Sequence, residues 1–175
     1  MQSPTFYIFC GLPFAGKTVL TKKLIDKLGF VPVNIDDIKF ARGFEGVSDD
    51  DVSDEDWQKI YQKSCDISHK CLNEGKSVLY DSSNLTRAIR DDIRKNMAKC
   101  NFSIKVLWLD IPFDIVKERY QKNKIKKERF DIPNNIFQEA IDTYEPPTED
   151  ENMILYTQDM DFDTWIKKNF YIAAE

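Results

Sequence analysis

Residues Gly11–Thr18, reading GLPFAGKT, constrain this chain more than any other stretch. Glycine, four residues, glycine, lysine and threonine form the pattern of a loop that wraps phosphate. Gly11 and Gly16 permit tight turns that aim successive backbone amides inward. Lys17 has the reach for β- and γ-phosphates, and Thr18 offers a hydroxyl to magnesium. The pattern needs a strand before it and a helix after it, and both are legible. Thr5–Cys10 is a short apolar, β-prone run suited to a fully buried strand. Val19, Leu20, Leu24, Ile25 and Leu28 then give one apolar stripe at helical spacing, with Gly29 where a C-cap belongs. Gly11, Leu12, Pro13, Phe14, Ala15, Gly16, Lys17 and Thr18 are therefore candidate nucleotide-binding residues.

Downstream, strand-like and helix-like segments alternate. Phe30–Ile35, Ser77–Tyr80, Ile104–Leu109 and Met153–Tyr156 read as strands. Between them come a short helix from Ile38 to Ala41 and a long one opening on the Ser53/Asp56 capping pattern. A third opens at Thr86, with Ile89, Ile93 and Met97 on its buried side. Helices over Phe113–Tyr120, Asn134–Tyr144 and Phe162–Phe170 follow. This order predicts an α/β, three-layer fold with a five-stranded, mostly parallel sheet and helices on both faces. At 175 residues the expectation is one domain over 1–175.

In such sheets, ligands bind beyond the carboxyl ends of the strands. Three strands end on a carboxylate there: Asp36, Asp81 and Asp110. Asp81 is the expected metal carboxylate, sharing magnesium with Thr18. Asp36 lies where an acceptor hydroxyl would approach and is the expected general base, with Asp37 and Lys39 holding the acceptor. Asp110, before Ile111-Pro112, reads as a turn residue. Seven bases lie within 117–129. They predict a basic helical lid over about 113–133 that brings cations to the transferring phosphoryl group and excludes water. Arg119 and Arg129 are preferred there, because a guanidinium binds phosphate as a planar fork.

Five motifs, GLPFAGKT, NIDDIK, YDSSNLTRAIR, LDIPFDIVKERYQKN and TYEPPTED, lie in the order and spacing of the polynucleotide-kinase-like branch of the P-loop kinases. The chain resembles that branch and the zeta-toxin-like kinases, within the AAA-type ATP-binding proteins. The resemblance implies a P-loop NTPase fold, ATP and Mg²⁺ as cofactors, and a base at Asp36. It also implies a lid arginine at Arg119 that touches the nucleotide, and an acceptor-phosphate ligand at Lys39. Polynucleotide kinases carry arginine at the position of Lys39, and a second lid arginine at the position of Asn123. The Tyr144–Pro147 turn resembles that of kinases and ATPases acting on tRNA. The expected activity is phosphoryl transfer to a hydroxyl of an RNA or DNA end, a nucleoside or another small molecule. The alternative is a nucleotide-dependent accessory ATPase or switch acting on an RNA or protein partner, for which the six acids within 49–56 would serve as a docking surface. No motif separates ATP from GTP.

The net charge of −5 speaks against a surface that binds long nucleic acid without specificity. Cys10, Cys65, Cys71 and Cys100 form no metal-like spacing with the single His69, so reduced thiols are expected. No apolar run reaches about 18 residues, and no signal-peptide pattern opens the chain. A cytoplasmic protein without a membrane span is expected.

Overall fold

The computed structural model describes residues 3–98, 102–129 and 131–171; Cys100 lies outside them. Its sheet has five strands: β1 (Thr5–Cys10), β2 (Val31–Asn34), β3 (Val78–Asp81), β4 (Ser103–Asp110) and β5 (Met153–Thr157). Their order across the sheet is β2-β3-β1-β4-β5, and all four pairings are parallel. The phosphate-loop strand β1 is thus central, between β3 and β4. Among the described residues seven α-helices accompany the sheet: α1 (Lys17–Leu28), α2 (Ile35–Ala41), α3 (Asp54–Asn73), α4 (Arg87–Met97), α5 (Phe113–Lys126), α6 (Asn134–Asp142) and α7 (Phe162–Phe170).

All six residues of β1 are buried, as a strand covered on both faces must be. Its side chains alternate between two cores. Tyr7 and Phe9 join Leu79, Leu107 and Leu109 under α1, α5, α6 and α7. Phe6, Ile8 and Cys10 join Val78, Tyr80 and Val106 under α2, α3 and α4. The two-residue period of the strand therefore builds both layers from one short run.

The caps follow local chemistry. The Ser53 hydroxyl accepts from Asp56 N (3.1 Å) and opens α3, and Thr86 accepts from Ile89 N (3.3 Å) to open α4. Two details depart from the sequence expectations. α2 begins at Ile35, not Ile38, because Asn34 caps it by accepting from Asp36 N (2.8 Å) and Asp37 N (3.3 Å). On α4, Met97 is buried as expected and Ile93 packs partly against the core, but Ile89 is 46% exposed. The fully buried residue of that helix is Arg90, at 0%. A charge partner far along the chain outweighs the local apolar stripe. No described helix is long and apolar enough to cross a membrane.

Candidate functional site

The loop after β1 is shaped by positive φ angles at Phe14 (64°) and Gly16 (106°). Gly11 is needed for space. A Cβ there would stand 3.0 Å from Leu109 O and 3.3 Å from Leu109 Cβ of the neighbouring strand. Phe14 holds its left-handed backbone by packing its ring edge-on against Tyr120 and Phe137, at centroid distances of 5.4 and 6.2 Å. Those two rings stack on each other at 3.8 Å and tie α5 to α6.

Lys17 folds back over its own loop, donating to Gly11 O (2.8 Å) and Leu12 O (3.1 Å). Burial lowers its pKa to about 8, only partly offset by the charges of Asp81 and Asp36. Thr18, in the first turn of α1, is exposed. Asp81 ends β3 beside β1, as expected, and its Oδ2 accepts from Thr21 Oγ1 (3.3 Å). Burial raises the Asp81 carboxyl above the usual range, against the pull of Lys17. The Asp81 carboxylate and the exposed Thr18 hydroxyl are hard oxygen donors of the kind magnesium takes. Among the described residues no cluster of three or more His, Cys, Asp and Glu forms a complete metal cage.

Asp36 stands in the first turn of α2, beyond the carboxyl end of β2. As a residue it is exposed, yet desolvation still raises its carboxyl pKa, and the nearby charge of Asp49 raises it further. Asp37 adds to both Asp36 and Asp81 in the same direction, so these carboxylates share one neighbourhood. Lys39 is 5% exposed. Its Nζ donates to Val47 O and Asp49 Oδ1 (2.6 Å each) and lies 5.8 Å from the Trp57 ring centroid.

On the other side of the loop, a cleft of about 530 Å³ opens between α1, α5 and the end of β5. Phe14, Ala15 and Gly16 form one wall. Lys23, Arg119, Lys122, Lys126 and Arg129 supply its cations. Arg119 Nη1 donates to Ala15 O (2.7 Å) and Phe14 O (3.3 Å), so it meets the phosphate loop directly. Arg129 is held through its backbone. Asn123 Oδ1 accepts from Arg129 N (2.9 Å), and Asn123 Nδ2 donates to Arg129 O (3.2 Å). Asn123 itself is 7% exposed.

A polar network behind the site escaped the sequence reading. Arg90 donates Nε to Glu151 Oε2 (2.8 Å) and Nη2 to Glu151 Oε1 (2.9 Å), with both side chains fully buried. Its Nη1 donates to Asn84 O (3.0 Å) and Leu85 O (3.1 Å), fixing the loop that follows Asp81. Asn84 in turn donates to Phe9 O (2.7 Å) in β1. Arg94 also binds Glu151, and Arg87 binds Asp91 and Asp150. Glu145 accepts from Arg87 N (2.6 Å), at the start of α4. The segments YDSSNLTRAIR and TYEPPTED are thus joined by charge. Three arginines at helical spacing, with an acidic 148–151 stretch, were the available signal.

The family model described as an AAA domain matches residues 7–147. A search of curated protein sequences finds no match. Solved structures similar over most of both chains include the following three. A sugar kinase from Janibacter sp. HTCC2649 is 22% identical with a TM-score of 0.66, covering 95% of this chain and 92% of its own. The Mycobacterium tuberculosis APS kinase CysC, in complex with AMPPNP and APS, is 17% identical at 0.64, covering 96% of each. Chaetomium thermophilum Kti12, in complex with ADP-AlF3, is 16% identical at 0.71, covering 93% and 94%. At these identities the structural likeness carries the fold, which is the P-loop NTPase fold.

Proposed function

The chain belongs to this AAA-domain family of P-loop proteins, and from that premise we propose an ATP-dependent kinase that phosphorylates a hydroxyl, with Asp36 as general base. One observation carries the reading. Asp36, in the first turn of α2 beyond the carboxyl end of β2, and the phosphate-loop Lys17 lie close enough to act on each other's charge, on the edge of the sheet where ligands bind.

The backbone amides of residues 11–18 cradle the phosphates of the nucleotide. Lys17 exchanges its two loop carbonyls for β- and γ-oxygens, which restores its full charge. Thr18 and Asp81 hold Mg²⁺, which would neutralise charge on those oxygens when bound. Asp36 takes the proton of the attacking hydroxyl, and Asp37 helps hold the acceptor. Arg119 and Arg129, on a lid over about 113–133, stabilise charge on the phosphoryl group in flight. The nucleotides AMPPNP and ADP-AlF3 in complex with two similar structures support a nucleotide ligand here. The reading treats residues 1–175 as one catalytic domain.

The test is transfer of labelled γ-phosphate to a panel of hydroxyl compounds, with wild type and Asp36→Asn compared. Asp36→Asn is expected to retain nucleotide binding and to lose kcat by about 10² or more. Full activity in Asp36→Asn at saturating acceptor refutes the base. Label released only as inorganic phosphate, with no acceptor labelled, supports a nucleotide-dependent ATPase or switch instead.

A further inference from the structure

Charge is sorted across this site. The nucleotide cleft carries the cations Lys23, Arg119, Lys122, Lys126 and Arg129 against one carboxylate, Glu128. The side in front of Asp36 is the reverse. Besides Lys17, which belongs to the phosphate loop, the charges acting most strongly on Asp36 are those of Asp49, Lys39 and Asp37.

Lys39 cannot balance the carboxylates there and also bind an anion. Its ammonium is buried, donates to Val47 O and Asp49 Oδ1 at 2.6 Å each, and faces the Trp57 ring. These contacts close the segment between α2 and α3 onto α2, which makes Lys39 a latch. The next basic residue along the chain, Arg42, is bonded to Asp56 at 3.0 Å. A phosphate or carboxylate entering beside Asp36 would meet the like charges of Asp37 and Asp49, while Lys39 and Arg42 are already paired with Asp49 and Asp56, and such a juxtaposition discriminates against a ligand.

We propose that the acceptor is a polyhydroxylated compound without an anionic group, and that Lys39 shapes its pocket without touching an acceptor phosphate. This rests on the kinase reading above. Hydroxyls would donate to the carboxylates around Asp36, an arrangement that suits neutral or cationic sugars and excludes phosphorylated ends.

The experiment uses the full chain with Mg²⁺ and γ-labelled ATP. The acceptors are hexoses, alditols and aminocyclitols, each beside its own monophosphate, and a 5′-hydroxyl oligonucleotide. The expected result is label on a phosphate-free compound, with kcat/KM at least about tenfold lower for its monophosphate. Asp49→Asn, at an exposed side chain, removes one negative charge and should narrow that discrimination several-fold. Lys39→Met should raise KM for every acceptor alike and leave KM for ATP unchanged, the signature of a positioning residue. Preference for the oligonucleotide or a monophosphate, abolished selectively by Lys39→Met, overturns the inference and leaves the kinase reading intact. Label on no acceptor, with MgATP still bound, removes the kinase reading itself.

Discussion

Replacing Arg90 by methionine tests the architecture behind the site. Methionine fills much of the arginine volume, so the main loss is charge and hydrogen bonding. The substitution removes two bonds to Glu151, at 2.8 and 2.9 Å, and two to the carbonyls of Asn84 and Leu85. Glu151 stays fully buried but keeps Arg94 and the backbone amide of Thr148 as partners. Removing one partner of a buried pair costs about 3–5 kcal/mol, and the remaining partners favour the lower end. With a Tm response of about 2–4 °C per kcal/mol for chains of this size, Tm should fall by about 6–12 °C. The double variant Arg90→Met/Glu151→Leu should recover much of that loss, because no unpaired buried carboxylate remains. Acid gives an independent check. Burial alone would raise the Glu151 pKa, but hydrogen bonds from Arg90 and Arg94 outweigh it and hold it at about 2, against 4.5 for the ordinary side chain. A depressed carboxylate stabilises the fold above the unfolded pKa, and the contribution is lost as pH falls from about 4.5 toward 2. Wild type should therefore lose its advantage over Arg90→Met through that window. Thermal unfolding followed by circular dichroism at pH 7, 4 and 3 measures both effects. A fall of under 2 °C at pH 7, or a gap that does not shrink in acid, refutes the reasoning.

Other perturbations probe the site itself. Lys17→Ala should weaken MgADP binding by about tenfold or more and abolish transfer, because it removes the cation proposed to reach the β-phosphate of ADP and the γ-phosphate of ATP; unchanged calorimetric affinity would contradict the phosphate-loop role. Gly11→Ala drives a methyl against the backbone of Leu109, so nucleotide affinity should drop by at least about fivefold, since overpacking of this kind costs about 1–3 kcal/mol. Wild-type affinity would show that the strands yield freely. Asn123→Ala removes two anchors of the Arg129 backbone and should lower kcat by up to about thirtyfold, at about 1 kcal/mol per bond lost, with KM for ATP little changed. A change confined to KM would assign Arg129 to ground-state binding.

The local chemistry of this chain was legible in its order of residues. A phosphate loop is contiguous, its glycines and lysine act within eight positions, its strand is an unbroken apolar run, and its helix announces itself by a period near four. Ser53 and Thr86 cap helices through bonds three residues long, so they too can be read in one dimension. The carboxylates at Asp36 and Asp81 were found because parallel strands present their carboxyl ends on one edge. What the tertiary structure alone decided depends on pairings that no local motif or periodicity records. Arg90 is buried because Glu151, 61 residues on, neutralises it. Asn123 stands where polynucleotide kinases carry a second lid arginine, and its buried amide holds the Arg129 backbone six residues away. Lys39 is drawn inward by Asp49 and the Trp57 ring, which only the packing of α2 on α3 brings within reach. Periodicity records which face of a helix is apolar; which charge can be buried depends on what the fold sets against it.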